Sequence, residues 1–354
     1  MSKTNCTGIP RATGLIIVEV RNSNPNGDPE RDGAPRRRRG DIGEISPVSV
    51  KRKMRDLVGN KNGPIWLYLK GKFNLKEERF DILEERDRKR EEIKKMIIED
   101  DTKPLKEKRF VKRYWDGRVF GNTFLEGAEG ETEEGTSAGK TTKKTDSDKN
   151  AKTKEAIALK RNVKTGVLHF GLGLSVAPVA LRTDFTLTNK AGVQEGKTAG
   201  MAPGAFKFVE HGIYAIPFFV NPTPASKTGC KKEDVDVALE LIPYVYSHNP
   251  SLVRTQVEVL HAWYMEHTNQ KGSCNDFVLI DALMPKKNVD ANKPSLSRSE
   301  YNIPNPIVNP DIFKDFKAEI LVFRDGIWIN KDTKDEENSE CKITIRDLMD
   351  LMRQ

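Results

Sequence analysis

The chain has 354 residues, of which 32% are charged, and its formal net charge is +8 with an isoelectric point near 9.1. This length is sufficient for a substantial core and for one domain with insertions. The basic excess favours a polyanionic partner, of which nucleic acid is the commonest, although a merely basic protein fits the charge equally well. The four cysteines are scattered without a CxxC pair, so neither a disulfide framework nor a zinc site is expected.

No segment of the sequence is expected to enter a membrane. The apolar runs are all much shorter than the stretch of about 20 residues that a spanning helix needs. The N-terminal sequence MSKTNCTGIPRATG lacks the apolar core of a signal peptide. We therefore expect a cytoplasmic protein with no membrane partner.

The first part of the chain predicts a strand, an elbow and a helix. The sequence GLIIVEVRN, residues 14–22, alternates as a β-strand and becomes polar on one face, which predicts a sheet with one solvated surface. Residues 22–40, the elbow, are rich in turn-forming residues and end in four consecutive arginines. Ser46 and Pro47 suit the N-cap and the first position of a helix that ends at Gly59.

The middle of the chain alternates predicted strands with polar insertions. Residues 60–112 are mostly charged with a thin apolar seam, which predicts a helical insertion with a solvated face. Residues 126–160 are predicted to be a disordered loop, because they hold too few large apolar side chains to offset the entropy of ordering. Strand-like sequences flank this loop at 113–125 and 161–180.

The strand sequence LHFGLGLSV within 161–180 is predicted to place its larger apolar residues on one face. The opposite face would carry His169, Gly171, Gly173 and Ser175. A face reduced to glycine allows a ligand to approach the backbone closely, and a bend or bulge in the sheet explains the glycines equally well.

The C-terminal half predicts two hairpins together with further strands and a helix. Residues 181–207, rich in Gly, Thr and Lys, predict a protruding hairpin. Residues 208–284 contain strands and the helical pattern KKEDVDVALELIPYVYSH. Residues 285–354 form a C-terminal extension with a second hairpin through Asp325 and Gly326. The whole pattern predicts an α+β fold, a split βαβ sandwich of ferredoxin or RRM type.

Known catalytic and cofactor motifs are missing from the sequence. It has no P-loop, HExxH or GxSxG, and its five histidines do not pair at ligand spacing. We therefore expect no catalytic residue, no cofactor and no metal. Asp28, Asp32 and Asp116 have the chemistry to hold Mg²⁺ for phosphodiester hydrolysis, but their surroundings favour turn roles. Basic residues, including Arg21 and Lys207, instead predict a phosphate-binding surface.

Six stretches of sequence occur in an order that resembles the CRISPR-associated Cas7 (Cas-seven) family, the backbone subunits of type I CRISPR Cascade complexes. They are NSNPNGDP, SVKRKMRDLV, YWDGRVFG, TGVLHFGLGLSVAPV, GIYAIPFFVNPTPASKTG and HNPSLVRTQVEVLHAWYMEH. The resemblance covers residues 14–281 and is strongest to the subtype I-C and I-B branch. The elbow followed by the KRK helix is its most specific part.

The resemblance implies an RRM-like palm, a helical fingers insertion and a thumb hairpin. The palm would comprise residues 1–59, 113–125, 161–180 and 208–284, with the fingers at 60–112 and the thumb at 181–207. It also implies a non-catalytic subunit of antiviral defence that polymerises along a CRISPR RNA, whose thumb displaces one nucleotide at a fixed interval. The implied partners are CRISPR RNA, target DNA through guide pairing, other copies of the chain, and other Cascade subunits (a five-prime-handle cap subunit and a large subunit).

The RNA contacts implied by the resemblance, joined with basic residues selected by charge, lie in the elbow, the first helix, the central strand and the thumb. They are Arg21, Asn22, Asn24, Asn26, Arg37, Arg38, Lys51, Arg52, Lys53, Arg55, Arg118, Gly121, His169, Gly171, Gly200, Met201 and Lys207. Met201 would be the wedge beside a displaced base. The long polar stretch 126–156 and the absence of an arginine at Leu174–Ser175 depart from the family pattern.

Two other functions remain open from the sequence. A metal-dependent, RNA-cleaving backbone subunit of a type III-like complex would use Asp28, Asp32 or Asp116 as its catalytic carboxylate. A monomeric RRM-like RNA-binding protein would bind one short site without assembling.

Overall fold

The computed structural model describes residues 8–124, 146–189, 201–313, 319–324, 327–330 and 342–352. Their structure is mixed, with one large sheet and several helices, as the α+β prediction requires. The chain divides into two compact units. The sheet unit comprises Pro10–Met54, Phe170–Val220 and Glu240–Gln354, and the helical unit comprises Met1–Ile9, Arg55–His169 and Asn221–Leu239.

Strands and helices alternate along the chain. The strands are β1 (Arg11–Ser23), β2 (Ile42–Ile45), β3 (Gly121–Asn122), β4 (Lys164–Thr165), β5 (Leu168–Phe170), β6 (Gly173–Pro178), β7 (Leu181–Asn189), β8 (Met201–Val220), β9 (Val257–His267), β10 (Lys286–Lys287), β11 (Tyr301–Asn302), β12 (Glu319–Arg324), β13 (Ile327–Asn330) and β14 (Lys342–Asp347). The helices are α1 (Pro47–Gly59), α2 (Pro64–Phe73), α3 (Arg90–Glu99), α4 (Arg109–Arg113), α5 (Trp115–Val119), α6 (Asp146–Asn162), α7 (Ala225–Thr228), α8 (Lys232–Leu241) and α9 (Asp276–Leu283). Among the described residues, none of these helices combines the length and apolar character that a membrane span requires.

Strand β1 is central in the sheet unit. It pairs antiparallel with β8 on one side and with β9 on the other, within the strand order β13-β12-β14-β9-β1-β8-β6-β2, and β7 also pairs with β8. Every residue from Ala12 to Val20 is buried, including Glu19. The prediction that one face of this strand is solvated is therefore wrong. Both faces are buried from Ala12 to Val20, and Glu19 has polar partners within the protein.

The core of the sheet unit fixes the register of β1. Leu15 and Ile17 lie in one buried cluster with Trp263 and Met265 of β9 and with Leu279 of α9. Fully burying each such side chain stabilises the fold by about 1.5–3 kcal/mol. A slip of one residue would turn this apolar set outwards, so the cluster also determines which face the polar end of β1 presents.

Helix α1 begins as the sequence predicts. Ser46 Oγ accepts a hydrogen bond of 3.2 Å from the Ser49 amide, which satisfies one of the free amides at the helix start. Val50, Met54 and Val58 form the predicted apolar stripe and are each at most 1% exposed.

The strand pairs of both predicted hairpins lie within the described residues. Strand β7 pairs antiparallel with β8 along its whole length. Met201 is the first residue of β8, and residues 190–200, which include the predicted contact Gly200, lie outside the described residues. In the C-terminal hairpin, Arg324 lies opposite Ile327, and the two residues between them also lie outside the described part of the chain.

Residues 113–124, the described part of the predicted strand 113–125, do not form one strand. They contain helix α5 followed by the two-residue strand β3. Distant partners hold this helix: Asp116 accepts a hydrogen bond of 2.7 Å from the Leu83 amide, and Arg118 is buried with 1% exposure. These tertiary contacts override the β-favouring composition of the segment.

The polar stretch 126–160 is not a disordered loop over its described part. Helix α6 occupies it from residue 146 and continues to Asn162, whereas residues 126–145 lie outside the described residues. Leu159 anchors the helix, because it is fully buried in a cluster with Ile93 of α3. Leu159 lies near the end of the stretch 126–160, whose other residues are mostly polar or small. The composition of the whole stretch therefore predicts disorder, although this one side chain is buried.

The predicted strand 161–180 is divided into β4, β5 and β6, and its face assignment is wrong in the second half. Gly171 and Leu172 lie between β5 and β6 and leave the strand geometry, so the alternation changes phase. Leu172 is consequently 37% exposed and Gly173 is buried. A Cβ at Gly173 would lie 2.6 Å from Ile216, so this glycine serves close packing within the sheet unit.

The helical unit has a separate core built on the apolar seam of the predicted insertion. Leu83 and Ile93 from that seam join Phe110 and Tyr114 in one buried cluster. Helices α2, α3 and α4 occupy much of residues 60–112, in agreement with the predicted helical character.

Candidate nucleic-acid interface

Two predicted contacts, Arg21 and Lys207, lie on the same face of the sheet. Arg21 of β1 pairs with His211 of β8, and Lys207 precedes His211 by four residues on that strand. Because side chains alternate along a strand that rises about 3.3 Å per residue, Lys207 and His211 point to one face about 13 Å apart. Lys207 is exposed, and 52% of the Arg21 side chain is accessible. The sheet therefore carries two accessible cationic side chains, Arg21 and Lys207, on one face.

The asparagines of the elbow shape its backbone and hold it against the start of α1. Asn22 has a φ of 41°, in the left-handed region that asparagine tolerates better than most residues. Asn24 Nδ2 donates to Gly33 O at 2.7 Å, and Asn26 Oδ1 accepts from the Ser46 amide at 2.7 Å. Asn24 thus closes the elbow by an internal hydrogen bond, and Asn26 connects the elbow to the N-cap of α1.

The two elbow aspartates have the turn roles that the sequence favours. Asp28 caps the short 3₁₀ turn Pro29–Arg31 by accepting from the Glu30 amide at 3.3 Å. Asp32 ends the same turn with a φ of 53°, a conformation that aspartate adopts more readily than most residues.

Three of the four arginines in the run, Arg36, Arg37 and Arg38, lie beside carboxylates. Arg37 Nη1 lies 2.7 Å from Asp41 Oδ1, and Arg38 Nε lies 2.6 Å from Glu44 Oε2. Over residues 22–44 the five arginines are balanced by five aspartates and glutamates. A phosphate at this run would compete with carboxylates, so the elbow adds shape rather than excess positive charge.

The predicted contacts on α1 differ in exposure. Lys51 and Arg52 are partly exposed, whereas Lys53 is 4% exposed. The Lys53 Nζ donates to Ser49 Oγ at 2.7 Å and lies 5.1 Å from the ring centroid of Tyr246. Lys53 therefore fastens α1 within the sheet unit through a hydrogen bond and a cation–π contact.

In the helical unit, Arg118 is occupied by internal contacts. Its Nη2 donates to Asp234 Oδ1 at 2.7 Å and to the Arg79 carbonyl at 2.7 Å. Its Nη1 donates to the Val111 carbonyl at 2.8 Å. The guanidinium is 1% exposed, so RNA cannot reach it in this structure, and its role is to hold the segments of the helical unit together.

Arg55 and Asp116 form a second internal pair of the helical unit. Arg55 Nε donates to Asp116 Oδ2 at 2.8 Å, with 12% of the Arg55 side chain exposed. Asp116 is 1% exposed and also accepts from the amides of Leu83 and Glu84 at 2.7 and 3.2 Å. Both residues therefore have structural partners in this unit.

Three further predicted contacts are explained by local packing. Gly121 has a φ of 78°, and a Cβ there would collide with the carbonyl of Lys164 in the paired strand β4. A ring nitrogen of His169 lies 2.9 Å from Gly166 O. A Cβ at Gly171 would lie 2.8 Å from a proline ring of β8, which favours the bend explanation for the glycines over a ligand.

Beside Arg21 lies a buried polar network that the sequence did not predict. Glu19 accepts two hydrogen bonds of 2.8 Å from Arg21 and lies 3.3 Å from His211 Nε2. His211 Nδ1 lies 2.7 Å from Ser295 Oγ, which accepts from the Tyr301 hydroxyl at 2.8 Å. Burial lowers the pKa of His211, which favours the neutral form of its ring. The sequence signal for this network is Glu19, a glutamate within the otherwise apolar run 14–20 of β1.

The sequence matches the model of one protein family, described as CRISPR-associated protein Cas7, over residues 10–305. No curated protein matches the chain. A solved structure described as "CRISPR RNA-guided surveillance complex, pre-nicking" is 14% identical with a TM-score of 0.38, covering 72% of this chain and 78% of that one. Another, "CRISPR RNA-guided surveillance complex", is 14% identical with a TM-score of 0.33, covering 71% and 68%. Since the family match extends from just before β1 to just beyond β11, the chain belongs to the CRISPR-associated Cas7 family.

Proposed function

We propose that the chain is a non-catalytic backbone subunit of a type I CRISPR Cascade complex of the I-C or I-B kind. It binds the sugar-phosphate backbone of a CRISPR RNA and polymerises along it with further copies of itself. The bases stay free to pair with target DNA, and the five-prime-handle cap subunit and the large subunit complete the particle. The family match over residues 10–305 carries this proposal.

The central strand order of the sheet unit supports an RRM-like palm. The strands β1, β6, β8 and β9 follow one another in the chain and lie side by side in the order β9-β1-β8-β6, and each neighbouring pair is antiparallel. The fourth of these strands therefore lies beside the first, which is the strand order of the ferredoxin-like arrangement. In this assignment residues 60–112 are the fingers and the hairpin of β7 with β8 is the thumb.

The face that carries Arg21 and Lys207 supports binding through phosphates. Contacts from arginine and lysine to phosphate supply affinity without reading sequence. Lys51 and Arg52 of α1 add partly exposed positive charge in the same unit. A guide held in this way leaves sequence recognition to base pairing, as RNA-guided complexes require.

Two of the three carboxylates that a metal-dependent nuclease would use, Asp28 and Asp116, have other partners. Asp116 is buried and accepts hydrogen bonds from Arg55 and two amides. Asp28 caps a turn and lies 3.7 Å from an Arg36 nitrogen. These contacts support the non-catalytic assignment over the RNA-cleaving alternative.

The proposal predicts stepwise assembly on RNA. The chain, freed of nucleic acid at high salt and mixed with CRISPR RNAs of increasing length, should form particles whose protein mass rises in steps of one 40.0-kDa chain. Each added segment of RNA creates one more site for an identical subunit, and light scattering measures the mass. One chain per RNA at every length would instead identify a monomeric RNA-binding protein and reject the proposal.

A further inference from the structure

Arg21 shares its buried carboxylate with a second arginine, Arg298. Arg298 Nη1 lies 3.6 Å from Glu19 Oε2, the oxygen that also lies 2.8 Å from Arg21 Nη2. Each arginine side chain is 52% exposed, whereas that of Glu19 is 2% exposed. Two positive charges thus meet one negative charge, and both guanidinium groups are about half exposed to solvent.

The loop that carries Arg298 has a fixed backbone. Lys287, with 2% of its side chain exposed, donates to three backbone carbonyls of this loop at 2.8 to 3.3 Å. Ser297 and Glu300 form a capping box around the short turn that contains Arg298. A backbone held in this way loses little entropy when a ligand binds, so Arg298 is presented from a preorganised support.

The two arginines line one open groove with neutral polar groups. Its other lining residues are Ser297, Ser299, Tyr301, Asn302 and an isoleucine, so no acidic side chain lines the groove among the described residues. Guanidinium forks bind phosphate with two parallel hydrogen bonds, and serine hydroxyls donate one further bond each. The groove therefore has the chemistry of a phosphate site.

The position of the groove favours a phosphodiester of RNA over the carboxylate of a protein partner. The elbow begins directly after Arg21, and Lys207 continues the same face about 13 Å from His211, the residue paired with Arg21. The backbone of a nucleic acid carries a phosphate at every nucleotide, so one strand can place one phosphate in the groove and another beside Lys207. A single carboxylate would contact either the groove or Lys207, but not both.

We infer that Arg298 and Arg21 form a phosphate clamp for the RNA backbone, with Glu19 as the residue that positions both guanidinium groups. This inference rests on the proposed function and extends it to a loop that the sequence did not mark as part of the RNA path. Arg298 contacts the phosphate, whereas Glu19 acts only through the two arginines.

The test is a salt titration of RNA binding by the full chain. Arg298→Ala should weaken binding of a single-stranded CRISPR RNA about tenfold, and the slope of log affinity against log salt should fall by about 0.7, the value for one phosphate neutralised on a single strand. Arg298→Lys should keep the slope but still weaken binding several-fold, because lysine keeps the charge and lacks the fork. Lys293→Ala, a matched removal of charge at a residue of the same loop that pairs with Asp290, should bind as the unsubstituted chain does.

The possible results distinguish failure of the phosphate clamp from failure of the proposed function. Thermal unfolding of every variant shows whether it is folded, and if Arg298→Ala is not, Arg298→Lys decides the question. Affinity and slope equal to those of the unsubstituted chain in the folded Arg298 variant would overturn the clamp while the proposed function stands. If the Arg298 variants bind RNA with unchanged affinity but form smaller particles, the clamp is also overturned. The groove would then bind a carboxylate of a neighbouring protein. Failure of the unsubstituted chain to bind RNA would instead reject the proposed function itself.

Discussion

Replacing Arg21 and Lys207 together by alanine is expected to weaken binding of single-stranded CRISPR RNA about 100-fold. Each substitution removes one charge-assisted hydrogen bond to phosphate, which is worth about tenfold in affinity. The slope of log affinity against log salt should fall by about 1.4, or 0.7 for each phosphate that is no longer neutralised. Fluorescence anisotropy at several salt concentrations measures both quantities.

A second double variant controls for net charge. Lys271→Ala with Lys293→Ala removes the same charge from two exposed lysines of the sheet unit. We expect its affinity to stay within about twofold of the unsubstituted chain. Equal losses of affinity in the two double variants would mean that overall charge, and not the face of Arg21 and Lys207, determines binding.

The second large effect concerns the stability of the helical unit. Asp234 is fully buried, and its carboxylate accepts from Arg118 at 2.7 and 3.1 Å and from the Lys231 amide at 2.9 Å. Asp234→Ala would leave the Arg118 charge buried without its partner. We expect the free energy of unfolding to fall by about 3–5 kcal/mol, measured by urea unfolding with tryptophan fluorescence, since Trp115 donates to the Asp234 carbonyl.

Helix α8 offers a matched control two residues further along. Asp236 pairs with Lys232 at 2.7 Å, but the two side chains are 27% and 56% exposed. Asp236→Ala should therefore cost at most about 1 kcal/mol, as exposed pairs do. Similar decreases in stability for the two aspartate variants would show that the Arg118 pair does not hold the helical unit together.

Elements with a strong local signal are predictable from this sequence. Helix α1 has both its cap and its apolar stripe, and Ser46 and Met54 occupy the expected positions. The pattern KKEDVDVALELIPYVYSH contains α8, and β9 is one of the strands predicted within residues 208–284. These predictions succeed because periodicity and capping act over a few residues.

Elements that depend on distant partners are not predictable in the same way. Helix α5 follows from the contacts of Asp116 and Arg118 with residues far away in the chain, and α6 depends on the burial of Leu159 against α3. The phase change at Gly171 arises from a break in strand geometry, which an alternation pattern cannot represent. A sequence pattern over a few residues contains no information about such tertiary contacts.

The residues of the candidate site also divide into those with a local sequence signal and those that depend on distant partners. Arg21 and Lys207 are identifiable one by one as basic residues, but only the register of β1 with β8 places them on one face. The arginine run looks strongly positive until its own carboxylates, such as Asp41 and Glu44, are paired with it. Arg298 carries no local signal, because its place beside Glu19 depends on a loop that lies 279 residues further along the sequence.

The nucleic acid that accompanies the chain during purification tests the central claim most directly. Sugar-phosphate contacts repeated along a filament should protect one RNA population, so extraction is expected to yield RNA of uniform length that dissociates in high salt. A chain that purifies free of RNA and ignores added oligonucleotide at low ionic strength would contradict the account.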